Sequence, residues 1–253
     1  MTPSPRLAAA LDAARAAAGV ISEAYRGNIR VRTKADRTPV TDVDVAAEEV
    51  IRDVLSQRFP DDGFYGEETG VREGRNDWVW LVDPIDGTRS FVRGYPFFST
   101  QIAAMRAGEI VLGVSSAPIF EELAWAERGS GAWLNDERCE VSNIGTLEDS
   151  AVSSGNLKSL ARDPRWVNWG SVVADVARIR GYGDFYHYHL LAAGRIDGVV
   201  ESDVNILDIA AVSVIVAEAG GVFTDLDGRP VDLETTSVLA GNPAIYAALR
   251  SRL

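Results

Sequence analysis

A mixed α/β (α+β) fold is predicted by three observations. Apolar residues recur at helical spacing along two segments near the N-terminus. The middle of the chain is filled with strand-like apolar runs separated by glycine turns, and from Ser142 onward short strand signals alternate with helical ones. At 253 residues, 46% hydrophobic and 25% charged, the chain has the balance of a folded globular protein. That length accommodates one α/β unit or two tightly joined subdomains.

Leu7, Leu11, Ala14, Ala18, Ile21 and Tyr25 alternate at spacings of four and three, which places them on one face of a helix that Gly27 ends. Residues 28–36 are basic and irregularly alternating, a short extended piece or hairpin leading to Pro39. A second helix starts near Thr41-Asp42, where hydroxyl and carboxylate cap free amides, and buries Ala46, Ala47, Val50, Ile51, Val54 and Leu55 before Pro60. Residues 60–76 read as a polar, acidic loop. A buried strand follows at 78–82 and runs into Asp83-Pro84.

Apolar runs at 97–105, 110–115 and 122–126, with turns at 107–108 and 129–131, predict an antiparallel meander. Beyond it, strands are expected at 151–154 and 198–201, and a helix at 207–219 ended by Gly220-Gly221. The change of pattern sets a subdomain boundary between 1–141 and 142–253. No flexible linker separates the halves, so they are expected to pack as one body.

A formal net charge of −12 disfavours nucleic acid and anionic lipid as partners, since both are bound through clustered Lys and Arg. A small phosphate ester is still compatible, because bound divalent cations reverse the local field. With Cys139 as the single cysteine, an intrachain disulfide and a thiolate cluster are both excluded. Residues 6–26 lack the unbroken apolar stretch of a signal peptide, and no segment is long and apolar enough to span a bilayer, so a cytoplasmic location is expected. There is no phosphate-binding Gly-x-x-x-x-Gly-Lys loop and no Gly-x-Ser-x-Gly elbow.

The segment Asp83-Pro84-Ile85-Asp86-Gly87-Thr88 ends a hydrophobic strand in two carboxylates on a sharp turn. Taken singly, such aspartates more often cap a turn. Two acids at the end of a buried strand are costly unless a cation or donors compensate them, and the Ile85 carbonyl between them adds a hard oxygen. Gly87 permits close backbone approach, so that its amide and that of Thr88 can face a phosphate oxygen.

Residues 80–88 resemble the first signature of the inositol monophosphatase family of metal-dependent phosphatases. Leu207-Asp208-Ile209-Ala210-Ala211 and Glu218-Ala219-Gly220-Gly221 resemble its second, with Leu207 where the family has tryptophan, and Gly66-Glu67-Glu68 matches a third element. The resemblance implies a layered αβαβα sandwich and hydrolysis of small phosphate monoesters with Mg²⁺, two or three ions per active site. It implies Glu67, Asp83, the Ile85 carbonyl, Asp86 and Asp208 as metal ligands, and Asp42 paired with Thr88 to orient and activate the attacking water. It also implies a homodimer. A catalytically silent binding module is the alternative of a different class, which the full set of acids disfavours.

The stretch Tyr182-Gly183-Asp184-Phe185-Tyr186 departs from the small residues usual in inositol monophosphatases and resembles the histidinol-phosphate phosphatases of the same family. Histidinol phosphate carries an ammonium and an imidazole that Asp184 or Glu201 can hold. Asp86, Gly87, Thr88, Asp184 and Glu201 are thus the expected substrate contacts, and inositol 1-phosphate is the alternative ester. His187 and His189 read as packing and hydrogen-bonding residues rather than catalytic ones.

Overall fold

The structure is a computed structural model that describes residues 3–27, 31–33 and 39–253. Helix α1 (Pro5–Tyr25) starts where the Ser4 hydroxyl accepts from the Leu7 amide, with proline in the first turn. Its buried face is wider than one apolar stripe: Ala9, Ala10, Ala13 and Ala17 join Leu7, Leu11, Ala14 and Ile21. The reason is that α1 packs against both a neighbouring helix and a sheet, and alanine lets both come close. Of the expected 28–36 piece, 31–33 forms strand β1 (Val31–Thr33), antiparallel to β2 (Pro39–Thr41); the rest lies outside the described residues.

Helix α2 (Asp42–Arg58) opens with a capping box in which Thr41 and Asp44 satisfy each other's backbone amides. Its buried side is Asp44, Ala47, Glu48, Ile51 and Leu55, so two acids occupy positions expected to be apolar or exposed. The expected polar loop at 60–76 contains two short strands, β3 (Gly63–Gly66) and β4 (Gly70–Arg72). They were illegible because four residues rich in glycine carry no periodicity.

Strand β5 (Trp78–Asp86) leads to the short helix α3 (Thr88–Val92), and then β6 (Ser99–Arg106), β7 (Glu109–Ala117), β8 (Glu122–Glu127), β9 (Ala132–Leu134) and β10 (Glu137–Cys139) form the meander. The eight-stranded sheet has the order β10-β9-β8-β7-β6-β5-β3-β4, all neighbours antiparallel except β3 and β5. Side chains alternate across it: Trp80 and Val82 pack with α1, whereas Leu81 joins the cluster around the helix at 206–218.

The remainder comprises β11 (Ala151–Gly155), α4 (Arg165–Asp175), β12 (Arg178–Arg180), α5 (Tyr186–Ala192), β13 (Gly198–Ser202), α6 (Ile206–Glu218), β14 (Val222–Thr224), β15 (Ser237–Gly241) and α7 (Pro243–Arg252). Its five-stranded sheet runs β12-β11-β13-β15-β14. Helices α1 and α2 cover the outer face of the large sheet, α5 and α6 lie between the sheets, and α4 and α7 cover the small one. This is the layered αβαβα sandwich. Helix α6 is apolar all round because it is buried from both sides, as that pattern requires.

Candidate active site

Pro84 and a register shift between Asp83 and Asp86 interrupt the β5 ladder, so two carboxylates three positions apart reach one point. Asp83 Oδ1 accepts from the Ile85 amide at 2.9 Å, which holds the turn. Gly87 then sits in the left-handed region at φ 88°, and a Cβ there would lie 2.6 Å from the Phe97 carbonyl oxygen. Only glycine fits. Thr88 begins α3 and points back, its hydroxyl 3.0 Å from the Ile85 carbonyl.

Asp208 arrives from the other half. It is the third residue of α6, where both its oxygens accept from Asn205 at 2.8 Å. Glu67 follows β3, and its amide donates to the Val82 carbonyl at 3.1 Å, so parallel pairing of β3 and β5 sets it beside Asp83. Asp83, Asp86 and Asp208 each offer an oxygen within 4.8 Å of the others. A cavity of about 650 Å³ is lined by these three, Glu67, Ile85, Gly87, Thr88 and Asp184, with Lys158 and Arg89 also on its wall.

Burial and mutual repulsion govern the charge here. Burial first, then Glu67, Asp86 and Asp208, push the Asp83 carboxyl well above the usual range. Asp86 is pushed the same way by burial and by Asp184, Asp208 and Glu201. Burial raises Asp208 to about 7, with the Asn205 amide opposing. Converging carboxylates that hold protons for lack of counter-charge are the donor set suited to a hard divalent cation, so the residues fit Mg²⁺.

The partner of Thr88 is Asp44, not Asp42. The Thr88 hydroxyl lies 3.2 Å from Asp44 Oδ1, and Asp44 is fully buried while Asp42 is exposed. Helical geometry explains the correction: Asp42 is the first residue of α2 and faces outward, whereas the capping box turns Asp44 inward. The Thr-x-x-Asp pattern was the available signal. Burial raises the Asp44 carboxyl, while hydrogen bonds from Thr41 and Thr88 pull it back.

Asp184 lines the same cavity in a left-handed conformation, φ 46°, unusual for a residue with a side chain. Burial and then Glu201 raise it to about 6, partly offset by His187. Glu201 is 2% exposed and stands just behind. Its Oε2 accepts from the Tyr188 hydroxyl at 2.6 Å and lies 3.1 Å from His187 Nε2, while Oε1 has no hydrogen-bond partner. A Cβ on Gly155 would come within 2.2 Å of that oxygen, so glycine is needed there. Glu48 was missed: fully buried, it accepts from the Glu68 and Thr69 amides at 2.8 Å each and anchors the turn that carries Glu67.

Five alternating layers with a carboxylate cluster at the meeting of both sheets define the class, a layered α/β sandwich with an acidic site suited to divalent cations. The sequence model of the inositol monophosphatase family matches residues 2–253. The chain belongs to that family. It is 41% identical to a histidinol-phosphatase of Streptomyces coelicolor over 80% of this chain and 79% of that protein. It is 38% identical to an inositol-1-monophosphatase of Mesorhizobium japonicum, over 88% of this chain and 85% of the relative. The crystal structure of the extragenic suppressor protein SuhB from Bartonella henselae superposes with a TM-score of 0.92 at 36% identity, over 98% of both chains.

Proposed function

We propose that the chain is an Mg²⁺-dependent histidinol-phosphate phosphatase, with two or three ions per site and direct attack of water on phosphorus. The observation that carries the substrate choice is the pair of buried acids, Asp184 and Glu201, beside the carboxylate cluster. An ammonium or imidazolium on the substrate makes charge-assisted hydrogen bonds to such a pair, where a polyol brings only hydroxyls. The free Glu201 Oε1 supplies one acceptor. Similarity to the Streptomyces coelicolor histidinol-phosphatase supports the same reading.

In this proposal Glu67, Asp83, the Ile85 carbonyl, Asp86 and Asp208 hold the ions. Bound magnesium supplies charge that acidifies water and stabilises the leaving oxygen. The Thr88 hydroxyl has two acceptors in reach, the Ile85 carbonyl at 3.0 Å and Asp44 Oδ1 at 3.2 Å; with its proton turned to Asp44, it accepts a hydrogen bond from the attacking water. Asp44 receives the proton, and its burial makes it the stronger base. Asp86, Gly87 and Thr88 face the phosphate end of the substrate, and Asp184 and Glu201 face the other.

Phosphate release from histidinol phosphate and inositol 1-phosphate, with Mg²⁺ and with chelator, tests the proposal. We expect Mg²⁺-dependent release from histidinol phosphate to exceed that from inositol 1-phosphate by roughly tenfold or more. Equal or reversed rates favour the second reading, an inositol-phosphate phosphatase, which the Mesorhizobium japonicum relative supports. If wild type and Asp83→Asn showed the same background release from every ester, a silent binding module would replace both. A cytoplasmic homodimer belongs to the proposal, and light scattering that finds only monomer refutes the dimer. Among the described residues no helix is long and apolar enough to cross a membrane.

A further inference from the structure

Helix α5 carries a histidine that the proposed reaction leaves unused. His189 is 2% exposed, with Nδ1 2.8 Å from Glu122 Oε2 and Nε2 2.8 Å from Ser115 Oγ. Gln101 Nε2 lies 3.0 Å from the same Ser115 oxygen and 2.7 Å from Ser99 Oγ. Ser99 Oγ in turn lies 3.4 Å from Asp86 Oδ2, the longest link. Ser99, Gln101 and Ser115 are all buried. The series therefore runs through the protein interior from the second half of the chain to the carboxylate cluster.

Chemistry fixes its direction. The Glu122 carboxylate only accepts, so His189 carries a proton on Nδ1, and in the neutral imidazole Nε2 then accepts from the Ser115 hydroxyl. The two hydrogens of the Gln101 amide then go to Ser115 and Ser99, and the single Ser99 proton is left for Asp86. Gln101 Oε1 is buried with no partner. Strand register produces this alignment, since Ser99 lies opposite Asp86 and Gln101 lies opposite both Asp83 and Ser115. Residues 99 and 101 share one face of β6.

We propose that Gln101 and His189 are positioning residues for Asp86: the chain from Glu122 holds Oδ2 of that carboxylate in place and ties it to the helix that follows Asp184. This rests on the proposed cation role of Asp86. Removing the acceptor on His189 frees the Ser115 proton, and the unpartnered Gln101 oxygen is there to take it. The amide turns over, and the Ser99 proton is drawn to Gln101 instead of Asp86.

The test is Mg²⁺ binding by calorimetry on wild type, His189→Met, Gln101→Glu, Ser99→Ala and the double variant Ser99→Ala/His189→Met. Losing an outer hydrogen bond to a metal ligand weakens binding by roughly tenfold or more, and each single variant is expected to show that. The double variant is expected to be no weaker than Ser99→Ala. With two histidines in the chain, nitrogen-15 spectra read the protonation of each ring nitrogen directly; an unprotonated Nε2 on His189 is expected in wild type, and a protonated Nε2 in Gln101→Glu, where the new carboxylate takes the Ser115 proton. His189→Met with wild-type Mg²⁺ affinity and only a lower melting midpoint overturns the proposal, as do additive effects in the double variant. If His189→Met does not fold, Ser115→Ala breaks the same link and is read the same way. Wild type that binds no Mg²⁺, with Asp83→Asn alike, overturns the cation reading itself; wild type that binds while the variants bind equally overturns the chain alone.

Discussion

Asp44 and Asp42 differ by two positions and face opposite ways on one helix turn, which makes them a controlled pair. Asp44→Asn removes the acceptor of the Thr88 proton, and phosphate release is expected to fall by about 10²-fold or more with Mg²⁺ binding retained. Asp42→Asn is expected to keep most activity. Near-equal losses in a side-by-side assay would mean that the Thr88 contact has no part in the reaction. Asp83 and Asp86 were legible as two acids on the turn that ends a buried strand, whereas Asp208 was joined to them by the resemblance of residues 207–211 and 218–221 to the family's second signature. Asp44 was misassigned by two residues because an acid at the first and at the third helical position look alike until the cap is seen. The raised carboxyls also set a pH dependence. Without metal, the folded state keeps protons on Asp83, Asp86 and Asp208 that the unfolded chain, with carboxylates near 3.8, has released. Stability of the metal-free protein therefore falls as pH rises from about 4 through about 7. Mg²⁺ is expected to raise the melting midpoint more at about pH 8 than at about pH 5; equal shifts at both would refute this.

Helix α2 is an element with two duties on one face. One turn separates Asp44, which holds Thr88, from Glu48, whose buried carboxylate accepts from the amides of residues 68 and 69. A Cβ on Gly66 would sit 2.5 Å from that carboxylate, so the turn is moulded around it. In Glu48→Gln an amide nitrogen must face donors, at a cost of about 1–3 kcal/mol in unfolding free energy. The displaced turn carries Glu67, so weaker Mg²⁺ binding is expected as well. Chemical denaturation and calorimetry measure the two effects; a stability loss with unchanged Mg²⁺ affinity would show that the clamp does not reach the site. None of this was legible, since a buried glutamate on an amphipathic helix looks like any solvated acid. Strand β3 escaped for a related reason: it pairs with β5, whose partnership is set by tertiary packing rather than local pattern.

At the scale of the whole molecule, α6 does the joining. Local signals located the helix and its glycine end, but its place between two sheets depends on contacts far apart in sequence. The closest of these is at Gly113 of β7, where a Cβ would lie 2.2 Å from the Ala211 carbonyl oxygen. Gly113→Ala forces helix and sheet apart and is expected to lower stability by about 1–3 kcal/mol, measured by urea unfolding. Because Asp208 rides on α6, Mg²⁺ affinity is expected to drop with it. A stable Gly113→Ala variant would show that the layers have slack.

That sandwiching has a kinetic side. An element held between two sheets cannot fray into solvent alone, so its amides exchange with deuterium only when the layers part. The aspartate at its start is denied local breathing. An ion at this seam can leave through the cavity that the carboxylates line, whereas the set of ligands itself disperses only on slow, cooperative opening of the entire body, so the emptied site outlasts storage in chelator for as long as the protein stays folded.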